Sequence, residues 1–397
     1  EVAQHDAREQ DFGRHKKGAE THFGAGRFAQ AARSYELALG ALSPSDSRSE
    51  GLKGRRTLST IYVGLERARR RADLDDERRL LQSAVGLSDD PRDLRRRLTE
   101  IDGELHQREL SKAHELARAA RAKNGTWQAA IKAYEASLRY DRRGAEALRG
   151  RSDAFAERDC PDDMVLITIP LRLLAKGSDA ARVGDHEVLR YYLDRHEVSN
   201  ASYAEFVQGG GYGPAAVRAG FVDSTGQAGP RGWSEGKPPA GAERLPVAGV
   251  SALEAEAYAS FRKRRLPTDQ EWLLAACFDP STSQLRRFPW GHELSPSELP
   301  TLRVLSAVGT RALDTSPWDV RDLGFNVSEW VRTPKKTHRV RGLSTHYLEP
   351  DLAPGPRDWH KEPLETFRYP SLGFRCAASV QAPPPLPVVP DESERQK

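Results

Sequence analysis

The chain carries three thiols in 397 residues, Cys160, Cys277 and Cys376. An odd count at wide spacing gives neither a disulfide framework nor a zinc knuckle, so packed core thiols are the expectation. Late in the chain stand His338, His346 and His360. Imidazole suits divalent iron or copper, so convergence of these three on a metal is one reading and ordinary loop histidines the other. The stretch from Leu343 to Ser371 also collects His346, Tyr347, Arg357, Trp359, His360, Phe367, Arg368 and Tyr369. Aromatics and arginine combine large contact area with few rotors, which is the chemistry of recognition. The competing reading tucks Trp359 and Phe367 under the loop.

Elements must hold these residues in place, and the composition changes along the chain. From Glu1 to about Glu157, Ala, Leu, Arg and Glu dominate, and apolar positions recur at helical spacing, which predicts a stack of amphipathic helices without strands. Ala19, His22, Phe28, Ala31, Tyr35, Ala38 and Pro44, with Gly26 between, fall where a tetratricopeptide repeat places small and aromatic residues. A second copy runs from about Glu115 to Gly150, with Gly125 and Trp127 at the turn and Ala130, Tyr134 and Leu138 as an inward stripe. Between them, Leu80, Leu81 and Ala84 suggest another helix, and Pro91 opens a long polar one through Leu116. Short side chains at fixed places let helices approach closely and leave a groove that suits a peptide. The alternative is that these helices only space the second domain.

The boundary is placed at Asp159-Cys160-Pro161, after which Met164-Val165-Leu166-Ile167-Thr168-Ile169-Pro170 reads as a strand closed by proline. The domains expected are therefore 1–158 (helical), 159–380 (mixed) and 381–397, a proline-biased flexible tail. Lys and Arg number 61 against 57 Asp and Glu, interleaved, so no single-sign field points to nucleic acid. No apolar run approaches the ~18 residues that would span a bilayer, and the chain reads as soluble and cytoplasmic. Because the first residue is Glu1 and the one methionine is Met164, we expect a piece of something longer.

The second domain, from about Met164 to Ala377, resembles the formylglycine-generating-enzyme (sulfatase-modifying-factor) family. The motifs that carry the resemblance come in the family's order. Tyr192-Leu193-Asp194-Arg195-His196-Glu197-Val198-Ser199-Asn200 is similar to its "EVTN" segment. Arg265-Leu266-Pro267-Thr268-Asp269-Gln270-Glu271-Trp272 is close to "RLPTEAEW", and Phe288-Pro289-Trp290-Gly291 to its "PWG" turn. Ser316 to Trp330, ending Gly324-Phe325-Asn326-Val327-Ser328-Glu329-Trp330, resembles "SPYGLYDMAGNVWEW". Val340-Arg341-Gly342-Leu343-Ser344 and Leu372-Gly373-Phe374-Arg375-Cys376 resemble "VLRGGS" and "LGFRC". Locally, Ser251 with Glu254 and Thr268 with Glu271 have capping-box spacing, so each predicts a helix start.

The resemblance implies an α+β, C-type-lectin-like fold, with Trp272, Trp290 and Trp330 in the core. It also implies that the loop from Leu343 to Ser371 lies on the exposed face where such domains meet their ligands. In the oxygen-dependent enzymes of the family two cysteines follow the glycine-serine motif and hold copper(I); here those places fall at about Tyr347 and Leu352, which cannot. A second branch holds iron with histidines from an "HxxxHxE" helix, and no such run occurs among His5, His15, His22, His106 and His114. Calcium is a structural ion of the family, and Asn326 and Glu329 keep oxygen donors for it, although Phe325 replaces the usual glycine.

The expectation is therefore no catalytic residue and no cofactor, with calcium at Asn326 and Glu329 as one reading and a capping or structural role for those two residues as the other. The chain would be a non-catalytic module of a bacterial multidomain signalling or defence protein, a pseudoenzyme. It would bind a protein or peptide through its repeats, and a partner or ligand through His346, Tyr347, Arg357, Trp359, His360, Phe367 and Tyr369. The rival expectation is a metal-dependent oxidoreductase built on the same scaffold without the cysteine pair.

Overall fold

A computed structural model describes residues 2–42, 46–123, 125–170, 181–183, 186–213, 229–293, 305–335, 337–343, 360–361, 365–366 and 368–386. The chain divides into two compact units, Glu1–Ala154 and Phe155–Pro384.

Seven helices follow one another at the N-terminal end: α1 (Val2–Gly24), α2 (Phe28–Ala41), α3 (Arg48–Arg71), α4 (Leu74–Val85), α5 (Arg92–Arg121), α6 (Trp127–Ser137) and α7 (Ala145–Arg158). Each of the first five packs against the next. Local chemistry sets their ends. Asp73 caps α4 by accepting from the Asp76 amide, and Asp75, Asp76 and Glu77 place acids in its first turn, where the exposed N–H groups favour negative charge. Arg69, Arg70 and Arg71 close α3 with the complementary sign. Pro91 sits at the N-cap of α5, as predicted, and the helix continues past Leu116 to Arg121.

The small residues singled out in the sequence do pack inward. Ala19, Ala31 and Ala38 are fully buried beside Tyr35 in one cluster with Phe12 and Leu52, and Ala130, Tyr134 and Leu138 are buried on α6 and its C-cap. Gly26 takes φ 71 in the turn between α1 and α2, a left-handed conformation that an L side chain rarely adopts. Pro44 lies outside the described residues.

The second unit is α+β. Strand β1 (Met164–Pro170) runs antiparallel to β3 (His186–Asp194), from Met164 opposite Asp194 to Pro170 opposite Val188. β3 also pairs with β2 (Ala181–Val183) and β10 (Ala377–Ser379). A second sheet has the order β8 (His360–Lys361), β7 (His338–Arg341), β6 (Ser328–Arg332), β9 (Leu372–Gly373), with β6 and β9 parallel. The short pair β4 (Phe278–Asp279) and β5 (Gln284–Leu285) completes the strands among the described residues. The helices are α8 (Asn200–Phe206), which runs on into a π-helical turn (Val207–Gly211), α9 (Ala252–Phe261) and α10 (Asp269–Cys277). Both predicted capping boxes form: Ser251 and Thr268 accept from the third helical amide, and Glu254 and Glu271 return to the cap amides.

Two apolar clusters fill this unit. One gathers Tyr203, Phe206, Tyr258, Trp330 and Phe374. The other gathers Ile167, Ile169, Tyr191, Trp272, Cys277 and Phe278, so that alternate residues of β1 face inward. Trp272 and Trp330 have no exposed surface, as expected. Trp290 is half-buried and stacks between Phe288 at 5.1 Å and Phe325 at 5.5 Å. The phenylalanine in place of the motif's glycine thus supplies a buried ring beside Trp290.

Candidate functional site

The second unit encloses a buried network of charge. Glu329, on β6, is 1% exposed and Arg375, between β9 and β10, 0%. Arg375 reaches both carboxylate oxygens of Glu329 at 2.7 to 3.0 Å, and the Trp272 indole N–H donates to Glu329 Oε2 at 2.7 Å. The rest of the guanidinium donates to the carbonyls of Asp194 at 3.1 Å and Arg321 at 2.8 Å. A buried ion pair persists only where such additional bonds satisfy its remaining donors and acceptors.

Asn326 stands next to this pair at φ 82, a left-handed position that asparagine tolerates better than most residues. Its Oδ1 accepts from the Ser306 amide at 3.0 Å, and its Nδ2 donates to Glu197 Oε2 at 2.6 Å. Glu197 also accepts from the Val327 amide at 3.1 Å. Burial, followed by the charges of Asp322 and Glu329, pushes the Glu197 carboxyl well above its usual range. Asp314 accepts from the amides of Gly324 and Phe325 at 2.8 to 3.0 Å. Burial raises it to about 7, with the Asp322 charge adding to the effect. Asp322 Oδ2 takes the Gly309 amide, leaving Oδ1 buried and without a bond among the described residues.

The loop's two ends are fixed by a second set of contacts. Gly342 takes φ 77 directly after β7, with a Cβ position only 3.2 Å from the Leu323 carbonyl, and the Leu343 amide bonds Gly324 O at 3.0 Å. Arg339 and Arg341 both reach Asp269, in the first turn of α10, at distances from 2.5 to 3.1 Å. His360 and Lys361 pair with Arg341 and Val340 in the sheet. Further on, His338 is held between Glu365, at 2.9 Å from Nδ1, and Glu256, at 3.2 Å from Nε2. Burial draws its pKa down, but the bonds to Glu256 and Glu365 outweigh burial and leave it raised. Arg368 grips the fully buried Glu254 at 2.6 and 2.8 Å.

Of the residues singled out for recognition, Tyr369 is half-buried and packs against the first apolar cluster. For His360 the backbone alone is described, and His346, Tyr347, Arg357, Trp359 and Phe367 lie outside the described residues, as does Leu352. The buried set of Asp194, Glu197, Asp314, Asp322 and Arg375 was not read as a unit in the sequence. Their contacts join positions as much as 182 residues apart, and local spacing carries no trace of such pairing.

Among the described residues the donor sets suit neither calcium nor copper(I). Glu329 has both oxygens bonded to Trp272 and to the Arg375 guanidinium, a cation that would repel calcium at the same place. Asn326 Oδ1 is engaged by Ser306. A copper(I) centre needs thiolates. Burial raises the Cys160 thiol to about 11 and the Cys376 thiol well above its usual value, so both stay protonated. Cys277 is buried in the core cluster around Trp272. Among the described residues no three His, Cys, Asp or Glu side chains are arranged to hold a metal ion.

Comparison with known proteins agrees with the motifs. The chain is similar to a hercynine oxygenase of Mycolicibacterium smegmatis, 29% identical over 173 residues, which is 37% of this chain and 38% of that protein. It is similar to the inactive C-alpha-formylglycine-generating enzyme 2 of Mus musculus, 30% identical over 35% of this chain and 51% of that protein. It is also similar to a serine/threonine-protein kinase of Chlamydia caviae, 28% identical over 49% of this chain and 34% of the kinase. Each of these matches spans well under two thirds of the relative's own length. The sulfatase-modifying factor enzyme 1-like domain matches residues 152–380, more than half of the chain. That match, over a segment whose motifs stand in the family's order, makes this chain a member of the sulfatase-modifying-factor family.

Proposed function

We propose that this chain is a recognition module on a formylglycine-enzyme scaffold, one part of a bacterial multidomain signalling or defence protein, and not an oxygen-using enzyme. The observation that supports it most is the state of its sulfur. Cys160 and Cys376 are held as protonated thiols by burial, and Tyr347 and Leu352 stand where copper-holding cysteines are expected. Its face for the partner is the loop with His346, Tyr347, Arg357, Trp359, His360, Phe367 and Tyr369, on a C-type-lectin-like domain, and tetratricopeptide-like helices add a second surface. The free thiols suit a reducing compartment such as the cytoplasm. No described helix is long and apolar enough to cross a membrane.

Similarity to a protein named inactive favours this reading, and similarity to one named an oxygenase keeps a metal-dependent oxidoreductase as the second. The test is oxygen uptake by the purified chain after loading with copper(I) or iron(II), with a cysteine-containing peptide as substrate. We expect none above free metal. Catalytic uptake that an alanine at His338, His346 or His360 abolishes would establish the second reading.

A further inference from the structure

The helical unit contains a hollow within its second repeat-like segment. It has a volume of about 210 Å³ and is walled by α5, α6 and α7. His114, Arg118 and Arg121 line it from α5 at a spacing of four and three, which puts them on one helical face. Trp127 and Tyr134, seven apart on α6, form the aromatic side. Gly150, on α7, leaves room for the Tyr134 ring, since any Cβ there would run into it. Tyr134 is therefore a fixed wall, 3% exposed, with the His114 ring edge-on to it at 5.7 Å.

The two arginines differ from their neighbours. Earlier on the same helix Arg97 is paired with Glu77 and Arg108 with Asp75. Arg118 and Arg121 are exposed and form no ion pair among the described residues; the Arg121 guanidinium instead lies 5.8 Å over the Trp127 ring. Asp153 lines the hollow too, and Glu146 Oε1 lies 3.5 Å from His114 Nε2 outside the lining. Two guanidiniums against the Asp153 carboxylate leave one positive charge, which complements a monoanion better than a phosphate dianion. The volume is below the ~300 Å³ at which small-molecule sites usually begin, so the hollow fits a single residue and not a cofactor.

We infer that this hollow binds one carboxylate-bearing residue of a peptide, its anion forked by Arg118 and Arg121 and its apolar stem laid against Trp127 and Tyr134. A guanidinium matches a carboxylate with two parallel N–H donors, which a carboxamide cannot accept equally. The carboxylate comes either from a chain terminus or from an acidic side chain. The inference rests on the reading of the helical half as a partner-binding surface.

The experiment titrates the full chain calorimetrically with three blocked pentapeptides. One ends in leucine with a free carboxylate, the second is its amide, and the third is an amide with a central glutamate. We expect the free acid or the glutamate peptide to bind, the winner naming the source, and the simple amide to fail. The R118A/R121A variant, altered only on exposed side chains, should lose at least about tenfold in affinity with its helical circular dichroism unchanged. Equal binding of acid and amide, unchanged affinity in the double variant, or no binding of either acidic peptide overturns the inference. None of these bears on oxygen uptake, so a failed hollow leaves the proposed function standing, and catalytic turnover overturns that function without touching the titration.

Discussion

Arg375 and Glu329 meet at 2.7 Å with essentially no exposure, the guanidinium spanning both carboxylate oxygens while Trp272 caps one of them. One charge pair thereby ties β6, α10 and the segment before β10 together. Removing one partner strands the other charge away from water. We expect Glu329→Gln to destabilise the fold by about 3 to 5 kcal/mol, read as a lowered urea midpoint at unchanged slope. A shift of only a few tenths would mean that water reaches Arg375.

Asp314 is an acceptor for the amides of Gly324 and Phe325. Asp314→Asn preserves size but turns an N–H₂ toward those donors in at least one rotamer. The expected loss is ~1 to 3 kcal/mol, the penalty for unsatisfied buried polar groups, measured as before, with Phe325 no longer stacked on Trp290 and tryptophan fluorescence altered.

Thr268 caps α10 by accepting from the Glu271 amide at 3.1 Å. Thr268→Ala should remove ~0.5 to 2 kcal/mol, the range measured for lost helix caps. Thr268→Ser, which retains the hydroxyl, should recover most of it.

His338 should titrate above the ordinary histidine value in an NMR pH series, because Glu256 and Glu365 favour its charged form over the opposing effect of burial. A raised folded pKa means stability that is fully present below pH ~6.5 and is lost as pH rises through the folded value. Arg332 also pairs with Glu256, at 2.7 Å. His338→Gln should flatten the dependence between neutral and mildly alkaline pH.

His196 has the opposite sign. Burial first, then Arg375, Arg195 and Arg321, lower it to about 4. Its contribution is therefore present above pH ~6.5 and lost as pH falls toward 4. Replacing His196 with Gln should reduce the acid-side slope of stability by up to about one proton.

Much of this was decided by short stretches of sequence. The spacing of Ser251 to Glu254 and Thr268 to Glu271 set two helix starts, since a capping box needs only residues within one turn. The β-branched run Met164–Pro170, closed by its proline, set a strand, and the order of the motifs from Glu197 to Arg375 set the family. Burial of Ala19, Ala31 and Ala38 followed from their helical spacing. What those motif residues do was settled only by the tertiary structure. Asn326 and Glu329 read as oxygen donors for a cation, yet Glu329 lies against Arg375, 46 positions away, and Asn326 against Glu197, 129 positions away. The hollow beside Arg118 and Trp127 likewise exists only once three helices meet. Caps and periodicity act within a turn or two of chain, whereas desolvation and charge pairing depend on which distant residues are enclosed together, and no local spacing records that.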